Sequence, residues 1–169
     1  MGWTALARTH LALGELEDAV VTAQKALSLN PHLARAEAVM GIGLWQLDRA
    51  QDALSAFDRA LANSPQDSYR WIIRGSRAIA LALLERFEDA IAEARQAQLD
   101  PKANYLAYVG EACALGHLRR TDEARQAIRR GLEADPEFGI PLILHDFALP
   151  NERVREFLLE GLKLAGFSN

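Results

Sequence analysis

Three acidic pairs, Glu17-Asp18, Glu88-Asp89 and Asp122-Glu123, have the residue types of a general acid/base dyad. Each falls where a helix should begin, and a carboxylate in a first turn is stabilised by the positive end of the helix dipole. Capping accounts for them better than catalysis does. Cys113 has His117 one helical turn later, a spacing that a nucleophile and its base can take. Nothing nearby orients the pair, and a small thiol in a helix contact is the simpler reading. His10, His32, His117 and His145 share no ligand spacing with one another or with Cys113, so no metal site is expected. Gly41-Ile42-Gly43 is a fragment of a dinucleotide fingerprint without its third glycine or preceding strand, and Ser76 has no Gly-x-Ser-x-Gly setting. The expectation is a protein with no catalytic residue and no cofactor, and hence not an enzyme.

Arg119, Arg120, Arg125, Arg129 and Arg130 form a local basic cluster, read as solvated helix surface. Over 169 residues the formal net charge is only −4, so no single-sign field holds phosphate backbones, and nucleic acid is not an expected partner. No apolar run approaches the roughly 18 residues of a membrane span. The first ten residues lack the basic flank and apolar stretch of a signal peptide. A single cysteine leaves no internal disulfide framework and fits a reducing, cytoplasmic setting. Half the residues are hydrophobic, enough for a core in one domain or one short array.

The elements that position these residues come from a unit written four times. Ala19, Ala53, Ala90 and Ala124 are 34, 37 and 34 residues apart, and Pro31, Pro65, Pro101 and Pro136 follow them at 12, 12, 11 and 12. A second small residue comes seven after each alanine, at Ala26, Ala60, Ala97 and Gly131. Small side chains two turns apart let a neighbouring helix approach, and proline ends one helix and starts the next. Each unit is therefore two antiparallel helices. The upstream helix carries an aromatic and then a small residue: Trp3 and Ala7, Trp71 and Gly75, Tyr108 and Ala112, with Glu37 and Gly41 in the second unit.

This pattern resembles the tetratricopeptide repeat, whose 34-residue unit places W, L-G, Y, A, F, A and P at fixed offsets. The first unit supplies Trp3, Leu6, Gly14, Ala19, Ala26 and Pro31; the second supplies Gly41, Ala53, Phe57, Ala60 and Pro65. The resemblance implies an all-α, right-handed superhelical solenoid of helix-turn-helix repeats. Residues 1–136 divide into four units (1–33, 34–67, 68–103, 104–136), then a degenerate half-repeat (137–150) and a C-terminal capping helix and tail (151–169). In that last segment Asn151 reads as an N-cap, with Val154, Phe157, Leu158 and Leu162 on one face. Two departures carry expectations. Three extra residues between Gly75 and Ala90 should lengthen the third unit's first helix by nearly a turn, and Arg119 in place of glycine should loosen the fourth inter-helix turn.

The Tyr69-Arg70-Trp71-Ile72 lead-in with its long helix, and the ending Arg153-x4-Leu158-Leu159-Glu160-Gly161-Leu162-Lys163-Leu164-Ala165-Gly166, are similar to the C-terminal repeat region of bacterial class III adenylate/guanylate cyclases. There the array follows a TolB-like segment. The likeness concerns the tail's architecture and implies no cyclase activity. At the front no cap is written: Trp3 already sits at a packing position. Either that face stays open, available to a second copy in a homodimer, or residues precede Met1.

In tetratricopeptide arrays the first helices line a concave groove, exposed at the second, fifth, ninth, twelfth and thirteenth positions. The resemblance carries these onto Thr4, Arg8 and Leu11; Arg35, Ala38, Ile42, Trp45 and Gln46; Tyr69, Ile72, Ser76 and Ile79; Leu106, Val109, Cys113 and His117. The expected groove is apolar with a basic edge, and Trp45 and Tyr69 beside Arg8 and Arg35 have the character of binding hot spots. The two-sided carboxylate clamp that captures chaperone tails is not written, since Thr4, Arg8, Val39, Tyr69 and Ile73 stand at its positions. The expected function is a non-catalytic scaffold that binds a protein or peptide in this groove. The alternative is a regulatory or dimerising arm of a larger bacterial signalling protein such as an adenylate cyclase.

Overall fold

The computed structural model describes residues 2–64 and 68–167. Met1 and Pro65, both singled out by the sequence pattern, lie outside the described residues, as do the last two residues of the tail. The helices pair in order: α1 (Trp3–Ala12) with α2 (Leu16–Leu29), α3 (Ala34–Gln46) with α4 (Ala50–Asn63), α5 (Arg70–Leu83) with α6 (Phe87–Ala97), and α7 (Leu106–His117) with α8 (Thr121–Ala134). Then come α9 (Ile140–Asp146) and α10 (Glu152–Ala165). No strand occurs among the described residues.

One turn joins all four pairs. Gly14, Asp48, Glu85 and Arg119 adopt φ of 75, 64, 58 and 57°. At each, the residue's own N–H donates to the carbonyl three back and the next N–H to the carbonyl five back, at 2.8–3.2 Å. Arg119 therefore does not loosen the fourth turn. These bonds hold it in a left-handed conformation that costs an L-residue about 1–2 kcal/mol.

The four turn residues set the register. Ala7, Gly41, Ala78 and Ala112 each stand seven before their turn residue, and all are buried between their paired helices. In the third unit the equivalent is thus Ala78, not Gly75. Two of the three extra residues fall in the connection ahead of α5 and one within α5, which has 14 residues against 13 in α3, so the expected added turn does not form.

Ala19, Ala53, Ala90 and Ala124 are fully buried on the second helices, as the close approach of neighbours requires. The acidic pairs lie in the first turns of α2, α6 and α8, where Asp89 and Glu123 also take bonds from Arg86 and Arg120. Buried carboxylates tie helices together, within a unit and between units. Glu37 accepts two bonds from Arg59, and fully buried Glu111 accepts from Arg95, Arg130 and Gln98. Two members of the arginine cluster, Arg120 and Arg130, are thereby engaged in inter-helix pairs rather than left as plain surface.

Past α8 the chain leaves the repeat path. The Phe138 ring fills the space a side chain at Gly131 would need, and α9 continues the array by a single short helix. Residues 147–150 then run back toward α3. From there α10 returns along α7, also touching α8 and α5. Asn151 caps α10 through a bond from the Val154 N–H (3.1 Å), and Gly166 ends it at φ 116°. Val154, Leu158, Leu162 and Ala165 are fully buried beneath it.

Candidate functional site

Counting back from the turn residues gives the stripe that the first helices present. Six before the turn stand Arg8, Ile42, Ile79 and Cys113; three before it stand Leu11, Trp45, Ala82 and Gly116. In the third unit this moves the stripe onto Ile72, Gly75, Ile79 and Ala82. Ser76 leaves the stripe and is buried, with a hydroxyl that finds no partner among the described residues.

The stripe changes character along its length. At the α7 end it is covered. Val109 and Cys113 are fully buried, and the residues of α7 that meet α10 are Cys113, Gly116 and His117. A Cβ on Gly161 would stand 2.6 Å from the Cys113 sulfur, and one on Gly116 would collide with the Gly161 carbonyl. Only glycine at both positions lets these helices come so close. His117 donates to the Phe157 carbonyl (3.0 Å), and its ring stacks between Phe157 and Phe87 at 4.2 and 5.5 Å. Burial pushes the Cys113 thiol up to about 12, away from the reactive thiolate form. His117 Nε2 is committed to the Phe157 carbonyl.

At the second unit the stripe is covered by the crossing segment. Trp45 has no exposed surface, and Phe147 meets it edge-on with centroids 5.1 Å apart. The Ala148 N–H donates to Gln46 Oε1 (3.0 Å). Arg153, just beyond the segment, grips Asp48 through two nitrogens, one at 2.7 Å. That bond first, and then the cation's charge, holds the Asp48 carboxyl below its usual range.

What stays open lies toward α1. Exposed Arg8, half-buried Leu11 and Ile42, and Tyr69 and Ile72 at the start of α5 line a cleft of about 570 Å³, closed on its far side by Tyr105, Leu106, Asp146 and Phe147. Arg35 lies over the Tyr69 ring at 5.5 Å. Tyr105 donates to Asp146 at 2.5 Å, and burial first, then that carboxylate, raises the phenol far above its usual range. Of the predicted groove residues, Arg8, Leu11, Ile42, Tyr69 and Ile72 come together here, with Arg35 beside Tyr69. Trp45, Ser76, Val109 and Cys113 do not reach the cleft. Sequence reasoning missed Trp71, Asn104, Tyr105, Asp146 and Phe147 as walls: Trp71 imitates the packing aromatic of its unit, Asn104 and Tyr105 precede α7 off the repeat pattern, and the last two belong to the segment read as a half-repeat.

His10, Glu15 and Asp18 gather their ligand atoms within 4.8 Å at the first turn, but His10 Nδ1 already bonds Glu15 (2.5 Å) on an exposed surface. No described helix is long and apolar enough to cross a membrane.

Comparison with known proteins agrees with this architecture. A tetratricopeptide repeat family model matches residues 2–33 and 105–138. No curated protein matches the sequence. Among solved structures, the chain is similar to one from the APC/C hetero-tetramer Cut9-Hcn1, with a TM-score of 0.72 at 16% identity over 95% of the chain. It spans 29% of that larger protein. It also resembles pilF of Pseudomonas aeruginosa (TM-score 0.70, 18% identity, 99% of this chain and 76% of that one). A third is YrrB, described as a TPR protein with an unusual peptide-binding site (0.62, 19%, 96% and 84%). What the chain shares with them is the fold, an all-α, right-handed tetratricopeptide-repeat solenoid.

Proposed function

We propose that this protein is a non-catalytic interaction module that takes an extended peptide in the cleft between α1, α3 and the starts of α5 and α7. The observation that carries the reading is the lining: aromatic and aliphatic walls from Tyr69, Trp71, Ile72, Ile42 and Leu11, with Thr9 and Asn104 placed for main-chain groups and Arg8 at the mouth. Such a surface suits an apolar peptide with an acidic residue near one end. Peptide binding in YrrB, a neighbour in fold, is consistent with it. The test is a peptide-array screen followed by calorimetry on the best binder. Ile42→Asp with Tyr69→Ala should abolish binding with helicity unchanged by circular dichroism; unchanged affinity in that folded variant would refute the cleft assignment.

A second reading keeps the same module as a dimerising or regulatory arm of a larger cytoplasmic signalling protein of the bacterial adenylate cyclase kind. Apolar side chains exposed on the first two helices and the turn between them favour it, Trp3 at 45% and Leu13 at 67% among them. Light scattering on the purified chain and on Trp3→Ser with Leu13→Ser tests it. A dimer dissolved by the double change supports the arm, and a monomer in both argues for the free-standing module.

A further inference from the structure

Residues 146–150, Asp-Phe-Ala-Leu-Pro, meet the groove as a bound peptide would. Asp146 takes the Tyr105 hydroxyl, Phe147 sits edge-on against Trp45, the Ala148 N–H goes to Gln46 and Leu149 is 1% exposed. Burial alternates along the run: Phe147 and Leu149 are buried, Ala148 and Pro150 exposed. That period of two is how an extended chain presents its side chains. Here a buried side-chain amide of the array captures a main-chain N–H, which is a way to hold a peptide.

We infer that residues 146–150 are a built-in occupant of the groove, and that its external partner is an extended peptide of the same order, acidic, aromatic, small, aliphatic, proline, which binds by displacing them. The inference rests on the cleft reading above and extends the site under Phe147 to the Trp45 seat.

Two features make the occupant replaceable. The Trp45 indole N–H is buried and finds no acceptor among the described residues, so a ligand that brings one gains a bond the chain's own segment lacks. Leu149 has φ 40°, a left-handed conformation that a leucine adopts only under constraint and that an untethered peptide need not copy. The cleft lined by Arg8 and Ile42 reaches Phe147, so a longer ligand can run on from the seat toward the cation. Against displacement stands the high effective concentration of a tethered segment, which weakens every competitor for the intact chain.

The test uses a fluorescein-labelled peptide of residues 145–151 and fluorescence anisotropy on three full-length proteins: wild type, Phe147→Ala and Arg153→Ala. The last unclasps the segment from Asp48 while leaving the left-handed turn, the seat and the core in place, so it stands in should Phe147→Ala fail to fold. The expected result is binding at least tenfold tighter to either variant than to wild type, lost when Trp45→Leu is added. Equal affinity for all three proteins, insensitive to Trp45→Leu, would overturn the inference while leaving the cleft reading intact. So would absence of binding to folded variants that still take an array-selected peptide. A wild-type dimer that Phe147→Ala dissociates would also overturn it, because the seat would then take a second copy. Failure of array peptides as well would bring down the cleft reading with it.

Discussion

Arg8 and Cys113 hold the same place in their units, six residues before a left-handed turn residue, yet Arg8 faces solvent and Cys113 is sealed. Leu11 and Gly116 make the same contrast three before the turn. The backbone register is common to both ends, so it decides where a side chain points. The size of that side chain decides whether a helix can settle on it. Gly116, Cys113 and Gly161 clear a flat contact for α10, whereas Arg8, Leu11 and Ile42 hold any helix off and leave a cleft that a thinner, extended ligand can enter.

The largest effect that would break this contrast comes from giving the covered end a bulky side chain. Gly116→Leu drives into the α10 backbone and should cost at least about 3 kcal/mol in urea unfolding, with α10 amides losing hydrogen-exchange protection first. The same change at Leu11's end, Leu11→Phe, should leave stability within about 0.5 kcal/mol. Next comes the buried carboxylate of each half. Glu111→Ala should cost about 2 kcal/mol, less than breaking a fully buried pair, because Arg95 and Arg130 are 48% and 38% exposed and regain water. Glu37→Ala, with Arg59 as its one arginine partner among the described residues, should cost about 1 kcal/mol by the same assay.

The turns supply a smaller and opposite pair. Arg119→Gly relieves a left-handed arginine and should stabilise by about 0.5–1 kcal/mol, while Gly14→Ala at φ 75° should destabilise by about 1 kcal/mol. Equal and same-signed shifts in melting temperature would show that the two turns are not alike. Smallest is the clasp. Arg153→Ala should cost under about 1 kcal/mol, since more than half of that side chain is in water. Because folding lowers the Asp48 carboxyl, its contribution is complete above the unfolded value of about 4 and is lost as pH falls through the lower folded one. Asp146 behaves alike: burial pushes it up, but bonds from Tyr105 and His145 outweigh that. Both ends of the crossing segment should therefore loosen in acid. The protection factor of the Ala148 amide, its exchange measured against the intrinsic rate at each pH, is expected to fall below about pH 4 while those of α4 amides hold.

The repeat was legible because it is local. Alanines seven apart on one helix and a proline twelve on report helix contacts between chain neighbours, and those contacts formed as read. The register of the third unit was misjudged because Trp71 and Gly75 imitate the aromatic and small pair, while Glu85, a residue with no propensity for a left-handed turn, hides the true marker. The cleft's far wall was illegible for a different reason. Nothing in Asp146-Phe147-Ala148-Leu149 announces which of several apolar helices it will meet, and the answer depends on the curvature that all four units build together. Gln46 and Trp45 could be placed on the groove, but their partner lies about a hundred residues away.

Solenoids of this kind touch only their neighbours, and their terminal units fray independently. Here Asp48 and Arg153, 105 residues apart in sequence, are held together, and Gln46 and Ala148, 102 apart, beside them. That closes a line into a loop. Unfolding should then be a single event across units two to four rather than a wave from one end, and folding should wait on a late, entropically expensive ring closure. Cutting the loop at Phe147 as well as at Arg153 would loosen that cooperative block toward a row of more separate units.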